Sequence, residues 1–182
     1  MRRRSRHLDP KDRLPAEFPP LEAEELLRSL TAAGVDFVVI GGIALVLLGS
    51  PRMTRDLDIV FAPDDANLDA LGGVLVDLEA RLRGVDEDVP FVPDAATLSN
   101  VQLLTLTTSA GWFDLHRSVD GAPRYPQLRA HAERCDLGEF SVLVASPDDM
   151  IAMKQAAGRP QDLIDVETIA SIKRLRRRLG RR

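Results

Sequence analysis

The sequence predicts one mixed domain of α/β (α+β) class, with about five strands interleaved with helices and a helical pair at the C-terminal end. Three observations predict it. Short runs rich in β-branched residues, such as Phe37-Val38-Val39-Ile40, end at turn residues. Between such runs, leucines recur at helical spacing, as at Leu68, Leu71, Leu75, Leu78 and Leu82. Ser146-Pro147-Asp148-Asp149 then reads as a helix start, with a cap, a proline at the first position and acids in the first turn. A chain of 182 residues with 45% hydrophobic side chains can bury one proper core, and 4% aromatics leave that core to Leu, Val, Ile and Ala.

Taken in order, residues 1–19 are charged and carry Pro10, Pro15 and Pro19, which predicts a flexible basic arm. A helix from Leu21 to Ala33 follows from Leu21, Leu26, Leu27 and Leu30, with Gly34 as its stop. Asp36–Ile40 is a strand ending at Gly41-Gly42. Residues 42–48 are apolar on all sides, so they predict a short buried helix. Leu57–Ala62 is the next strand; Pro63 ends it, and Asp64 or Asp65 caps a helix expected to run to Arg83. Residues 84–94 read as an acidic loop, and Asp94–Ser99 as a helical turn. Val101–Thr107 and Trp112–His116 read as strands joined at Ser109-Ala110-Gly111. A helix is expected from Tyr125 to Arg134 and a strand over Phe140–Ala145. The last helix starts at Pro160 and repeats Leu163, Val166, Ile169, Ile172 and Leu175. The expected division is an arm over 1–19, a core over 20–145 and a helical segment with a basic tail over 146–182.

Composition narrows the function classes. No apolar run is long enough to span a bilayer, so no membrane partner is expected. Arg2-Arg3-Arg4-Ser5-Arg6 is not followed by an apolar stretch and does not read as a secretory signal. A single cysteine, Cys135, excludes an internal disulfide framework and suits a cytoplasmic setting. The net charge of −4 is unevenly spread: residues 14–172 hold 11 basic and 26 acidic side chains, and both ends are basic. An acidic body is unusual for a dedicated nucleic-acid binder, although basic ends can grip phosphates; the plainer reading is that the ends are solvated.

The chemistry concentrates in residues 41–59. Asp56 and Asp58, two apart on a strand, point to one face. Two like charges side by side are unfavourable unless a cation joins them, and Mg²⁺ is usually held by one or two carboxylates plus substrate phosphates. Gly41 and Gly42 lie upstream, where bare backbone can approach a triphosphate. Ser50, Arg52, Thr54 and Arg55 fill the loop before Asp56, and an arginine there can neutralise phosphate charge. Arg55 alternates to the opposite face if the strand has already begun. Farther on, Phe113-Asp114-Leu115 sets a carboxylate between large apolar residues, with His116 on its face; an ordinary hairpin acid and a structural histidine are the alternatives. Zinc HExxH and Walker-type lysine motifs are absent.

Ile40-Gly41-Gly42, a gap of 13 residues, then Asp56-Leu57-Asp58-Ile59 resembles the signature of the nucleotidyltransferase superfamily with the DNA polymerase beta fold. The run Arg52-Met53-Thr54-Arg55-Asp56-Leu57-Asp58, with Lys154 and Ala157-Gly158-Arg159-Pro160-Gln161-Asp162-Leu163, is similar to AbiE-type abortive-infection nucleotidyltransferase toxins. The match covers roughly residues 25–170 and is thinnest over 84–100. The resemblance implies a small mixed sheet flanked by helices, with the C-terminal helices closing over the site. It implies catalytic, metal-holding roles for Asp56, Asp58 and Asp114 with two Mg²⁺ ions, and an NTP substrate. Gly41, Gly42, Arg55, Lys154, Arg159 and Asp162 would surround the nucleotide, Lys154 on its phosphates and Asp162 orienting groups; an ion-paired surface helix pair is the alternative for the last three.

What the resemblance implies for function is transfer of an NMP from an NTP to a hydroxyl. The acceptor would be an RNA 3′ end, most directly tRNA, in a toxin–antitoxin setting where an antitoxin protein is a partner. The alternatives are a protein or small-molecule acceptor, or a non-catalytic nucleotide-binding regulatory module.

Overall fold

The computed structural model describes residues 20–85 and 90–180. The basic arm and the acids Asp86, Glu87 and Asp88 therefore lie outside the described residues. The first helix, α1 (Ala23–Ala32), buries Leu26, Leu27 and Leu30. It leads into β1 (Phe37–Ile40), which is buried throughout, and α2 (Gly41–Leu47), which begins directly after the strand with Ile40 as its N-cap. The strand with the paired acids, β2 (Asp56–Phe61), returns antiparallel to β1, with Ile40 opposite Asp58. Then come α3 (Asp65–Asp77), β3 (Arg81–Leu82), α4 (Ala95–Asn100), β4 (Leu103–Thr108) and β5 (Gly111–His116). The chain closes with α5 (Tyr125–His131), β6 (Glu133–Asp136), β7 (Ser141–Val144), α6 (Pro147–Ala157) and α7 (Pro160–Arg178).

Among the described residues the strands form one sheet in the order β3-β4-β5-β2-β1-β7-β6. It is mixed: β2 runs parallel to β5 and β1 parallel to β7, while the other neighbours are antiparallel. Period-two alternation divides β2 between two environments. Leu57, Ile59 and Phe61 are fully buried, whereas Asp56 and Asp58 are half-buried on the other side. Helices α1 and α3 pack on each other and α1 also on β2 and β7, while α6 and α7 pack together. Asn67, buried at the start of α3, pins that helix to two strand ends: its Nδ2 donates to the carbonyls of Asp36 and Ala62, and its Oδ1 accepts from the Asp36 N–H.

Three expectations need correction. The leucine stripe does not carry α3 to Arg83; the helix ends at Asp77, Glu79 turns the chain at φ 51°, and Arg81–Leu82 becomes a strand paired with β4. Leu78 and Leu82 keep the helical spacing, yet Leu78 is buried beyond the helix end and Leu82 lies opposite Leu106 in the sheet. The helix from Tyr125 stops at His131, and Glu133–Asp136 pairs with β7. The described residues thus hold seven strands rather than about five. The mixed α/β class and the C-terminal helical pair stand as expected. Among the described residues no helix is long and apolar enough to cross a membrane.

Candidate active site

The polar face of β2 and the start of α2 open into a cleft of roughly 410 Å³, bounded on one side by α6 and α7. The parallel pairing of β2 with β5 puts Asp58 directly opposite Asp114 and, two residues along, Val60 opposite His116. Asp56, Asp58 and Asp114 therefore share one face. Asp56 accepts a hydrogen bond from Thr54 Oγ1 at 2.9 Å, and His116 Nε2 lies 3.1 Å from Asp58 Oδ1. Burial pushes the Asp114 carboxyl above its ordinary range, and the charges of Asp58 and Asp56 push the same way, against Arg83.

The two glycines make this proximity feasible. Gly41 has φ 65°, a left-handed conformation that suits glycine, and a Cβ there would lie 2.0 Å from Asp58 Oδ2. A Cβ on Gly42 would lie 2.3 Å from Thr54 Oγ1. Both positions are bare because the acid strand and its preceding loop press against them.

Across the cleft stands a charge network centred on two buried carboxylates. Lys154, on α6, lies 2.9 Å from Asp162 Oδ1 and 3.0 Å from Asp165 Oδ2. Arg159 Nε donates to Asp162 Oδ2 at 2.7 Å, and its backbone N–H reaches the same oxygen, so Asp162 also caps the start of α7. Arg52, from the loop before β2, forms a close ion pair with Asp165 and ties that loop to α7. Asp162 and Asp165 are 1% and 2% exposed. Burial alone would raise the Asp162 carboxyl, but the hydrogen bonds from Arg159 and Lys154 outweigh it and hold it at about 2. Asp165 is lowered for the same reason, by Lys154 and Gln161 against its burial.

Gly41, Gly42, Asp56, Asp58, Asp114, Lys154, Arg159 and Asp162 all line this cleft. Arg55 does not: it is exposed, and Arg52 is the loop arginine at the wall. Lys154 is engaged by two carboxylates rather than standing as a lone cation. Sequence reasoning missed Arg83, whose Nη2 donates to both Asp114 oxygens at 2.8 and 2.9 Å. The signal was the alternation Arg81-Leu82-Arg83, hidden by the leucine stripe that ran into it.

A hard divalent cation fits part of this donor set. Asp56 and Asp58 offer carboxylate oxygens on one face, which is the usual protein share of an Mg²⁺ shell. Asp114 is in the hands of Arg83, and among the described residues no three His, Cys, Asp or Glu side chains converge as a ready-made metal shell.

The mixed sheet thus presents three acids on neighbouring strands, with a Gly-Gly turn against them and a helical pair beside the cleft. Solved structures agree on the fold. The lincosamide antibiotic adenylyltransferase LnuA, lincomycin-bound, is 19% identical with a TM-score of 0.57, covering 83% of this chain and 96% of its own. ANT(2'')-Ia in complex with adenylyl-2''-tobramycin is 14% identical with a TM-score of 0.52, over 81% and 85%. An antigenic nucleotidyltransferase-like protein from Paracoccidioides brasiliensis is 22% identical with a TM-score of 0.51, over 86% and 78%. No curated protein matches the chain in sequence. The family model described as nucleotidyl transferase AbiEii toxin, type IV TA system, matches residues 25–179. The chain belongs to that family and is a nucleotidyltransferase.

Proposed function

We propose that this protein transfers an NMP from Mg²⁺-bound NTP to a hydroxyl at the 3′ end of an RNA, most directly a tRNA, as the toxin of a cytoplasmic toxin–antitoxin pair. The observation that carries the transfer chemistry is the register of Asp58 opposite Asp114, with Gly41 pressed against Asp58. Asp56 and Asp58 would hold the cations, with Asp114 as the third acid. When bound, such ions neutralise the phosphoryl oxygens and stabilise the attacking and leaving oxygens of an in-line displacement. The chain's own residues do the rest by positioning. Gly41 and Gly42 leave room for the triphosphate against backbone. Arg159 and Lys154, held in place by Asp162 and Asp165, face the phosphates from the opposite wall. Asp114 takes the proton of the attacking hydroxyl on a carboxylate oxygen. Arg55, exposed beside the acid strand, would contact phosphate or acceptor outside the cleft. The RNA acceptor and the antitoxin partner rest on the family's toxin–antitoxin setting.

A second reading, a small-molecule or protein acceptor, is favoured by one observation. Part of the cleft wall is apolar, built by Leu103, Val119, Met150 and Met153, and neither Trp112 nor Tyr125 lines it to stack a base. The test is NMP transfer from each of four α-labelled NTPs, with Mg²⁺ and total cellular RNA, and Asp58→Asn protein alongside. Label on RNA that disappears with Asp58→Asn supports the RNA reading. Label on protein alone replaces it with the second. Nucleotide binding without any transfer would leave a binding module.

A further inference from the structure

We propose that Arg83 is a latch on the third acid: in the nucleotide-free protein it engages Asp114, and the nucleotide with its cation displaces it. The inference rests on the site reading above and concerns how that site is switched on.

Four observations carry it. Arg83 Nη2 donates to both oxygens of Asp114, at 2.8 and 2.9 Å, so one charged nitrogen sits astride the carboxylate. Asp114 lies opposite Asp58 on the adjacent strand, and a row of acids needs a counter-charge. Arg83 supplies in the resting protein the positive charge that a divalent cation would supply in the loaded one. The arginine is also incompletely satisfied: its Nη1 is buried with no acceptor, a rare state for a guanidinium nitrogen. Finally, its position comes from the sheet. The Arg83 N–H donates to the Thr105 carbonyl, Thr105 pairs with Asp114, and Asp114 pairs with Asp58, so all four stand on one row. Its side chain keeps 24% exposure, which leaves a way out.

The protein carries its own reporter. Its single tryptophan, Trp112, has the Arg83 guanidinium 4.6 Å from its ring centroid. Withdrawal of the latch must change the emission of that one ring. The experiment is Trp112 fluorescence of the full chain during titration with Mg²⁺ and each NTP, together with Mn²⁺ binding followed by electron paramagnetic resonance. Wild type, Arg83→Gln, Arg83→Lys and Asp58→Asn are compared. The expected result is a saturable emission change in wild type that Arg83→Gln loses. Arg83→Gln should bind Mn²⁺ roughly tenfold more tightly, the scale of removing one hydrogen-bonded counter-charge. Arg83→Lys, which keeps the charge but not the planar fork, should fall between the two and guards against a folding defect in the glutamine variant. If wild type binds Mn²⁺ and nucleotide in an Asp58-dependent manner, yet Trp112 emission stays constant and Arg83→Gln binds no more tightly, the latch is wrong and the site reading survives. If wild type binds neither, or Asp58→Asn binds as well as wild type, the site reading fails and takes the latch with it.

Discussion

Gly41 and Asp58 touch so closely that no side chain fits between them: a Cβ on Gly41 would stand 2.0 Å from Asp58 Oδ2. Since Gly41 also has φ 65°, Gly41→Ala meets two penalties. The left-handed backbone costs about 1 kcal/mol for a residue with a Cβ, and the clash must push Asp58 out of its place. The expected outcome is a modest fall in melting temperature with loss of nucleotide transfer far beyond it. Paired thermal melts and transfer assays check this; unchanged transfer would show that the Asp58 position is not used.

Lys154 has a structural role that a simple phosphate contact would not have. Removing its ammonium leaves Asp162 with Arg159 and Asp165 with Arg52 as their remaining cations, so the cost should fall below the about 3–5 kcal/mol of a buried charge left with no partner. Lys154→Met should still unfold at lower urea in equilibrium melts. Unchanged stability would mean that the network holds without it.

Acid should reveal the same network. Asp162 has its folded carboxyl at about 2, below its ordinary 3.8. Such a depressed acid stabilises the folded state fully above the unfolded value, and the contribution is lost as pH falls through the window from about 4 to about 2. The shift corresponds to about 2 kcal/mol, and Asp165, also lowered, adds in the same direction. Urea melts between pH 5 and pH 2 should show this loss in wild type and a shallower slope in Asp162→Asn. Equal slopes would rule out Asp162 as a source.

Asp64 and Asp58 separate stability from chemistry. Asp64 accepts the Asn67 N–H at the start of α3 and is not among the residues that line the cleft. Asp64→Ala should cost about 1 kcal/mol, as the loss of a helix cap does, and leave transfer intact. Asp58→Asn should do the reverse: it removes one of several crowded negative charges, so stability holds or rises while transfer is lost. Melts and transfer assays on both proteins check the contrast.

What was legible in the sequence was local. Ser146, Asp64 and Asp94 cap the helices they were expected to start, because a cap is settled within four residues. The shared face of Asp56 and Asp58 follows from the two-residue period of a strand alone. The two missed strands, β3 and β6, are the two edges of the sheet. Edge strands are short and charged, as Arg81-Leu82 and Glu133-Arg134-Cys135-Asp136 are, and so carry too little apolar alternation to stand out as strands. Their identity comes from the neighbour they pair with.

The sequence by itself determined the class of fold, the acid pair and the glycines that face it, since these depend on residues close in the chain. Only the tertiary structure decided which groups meet them. Asp58 reaches Asp114 across 56 residues because β2 pairs with β5 in one register, and a shift of one residue would turn Asp114 to the other face. Arg83 reaches Asp114 only through the β3-β4-β5 ladder, and Lys154 becomes a buried partner of Asp162 and Asp165 only because α6 folds back on α7. Pairing register and helix packing are set by burial of the whole core, which no short stretch of sequence contains.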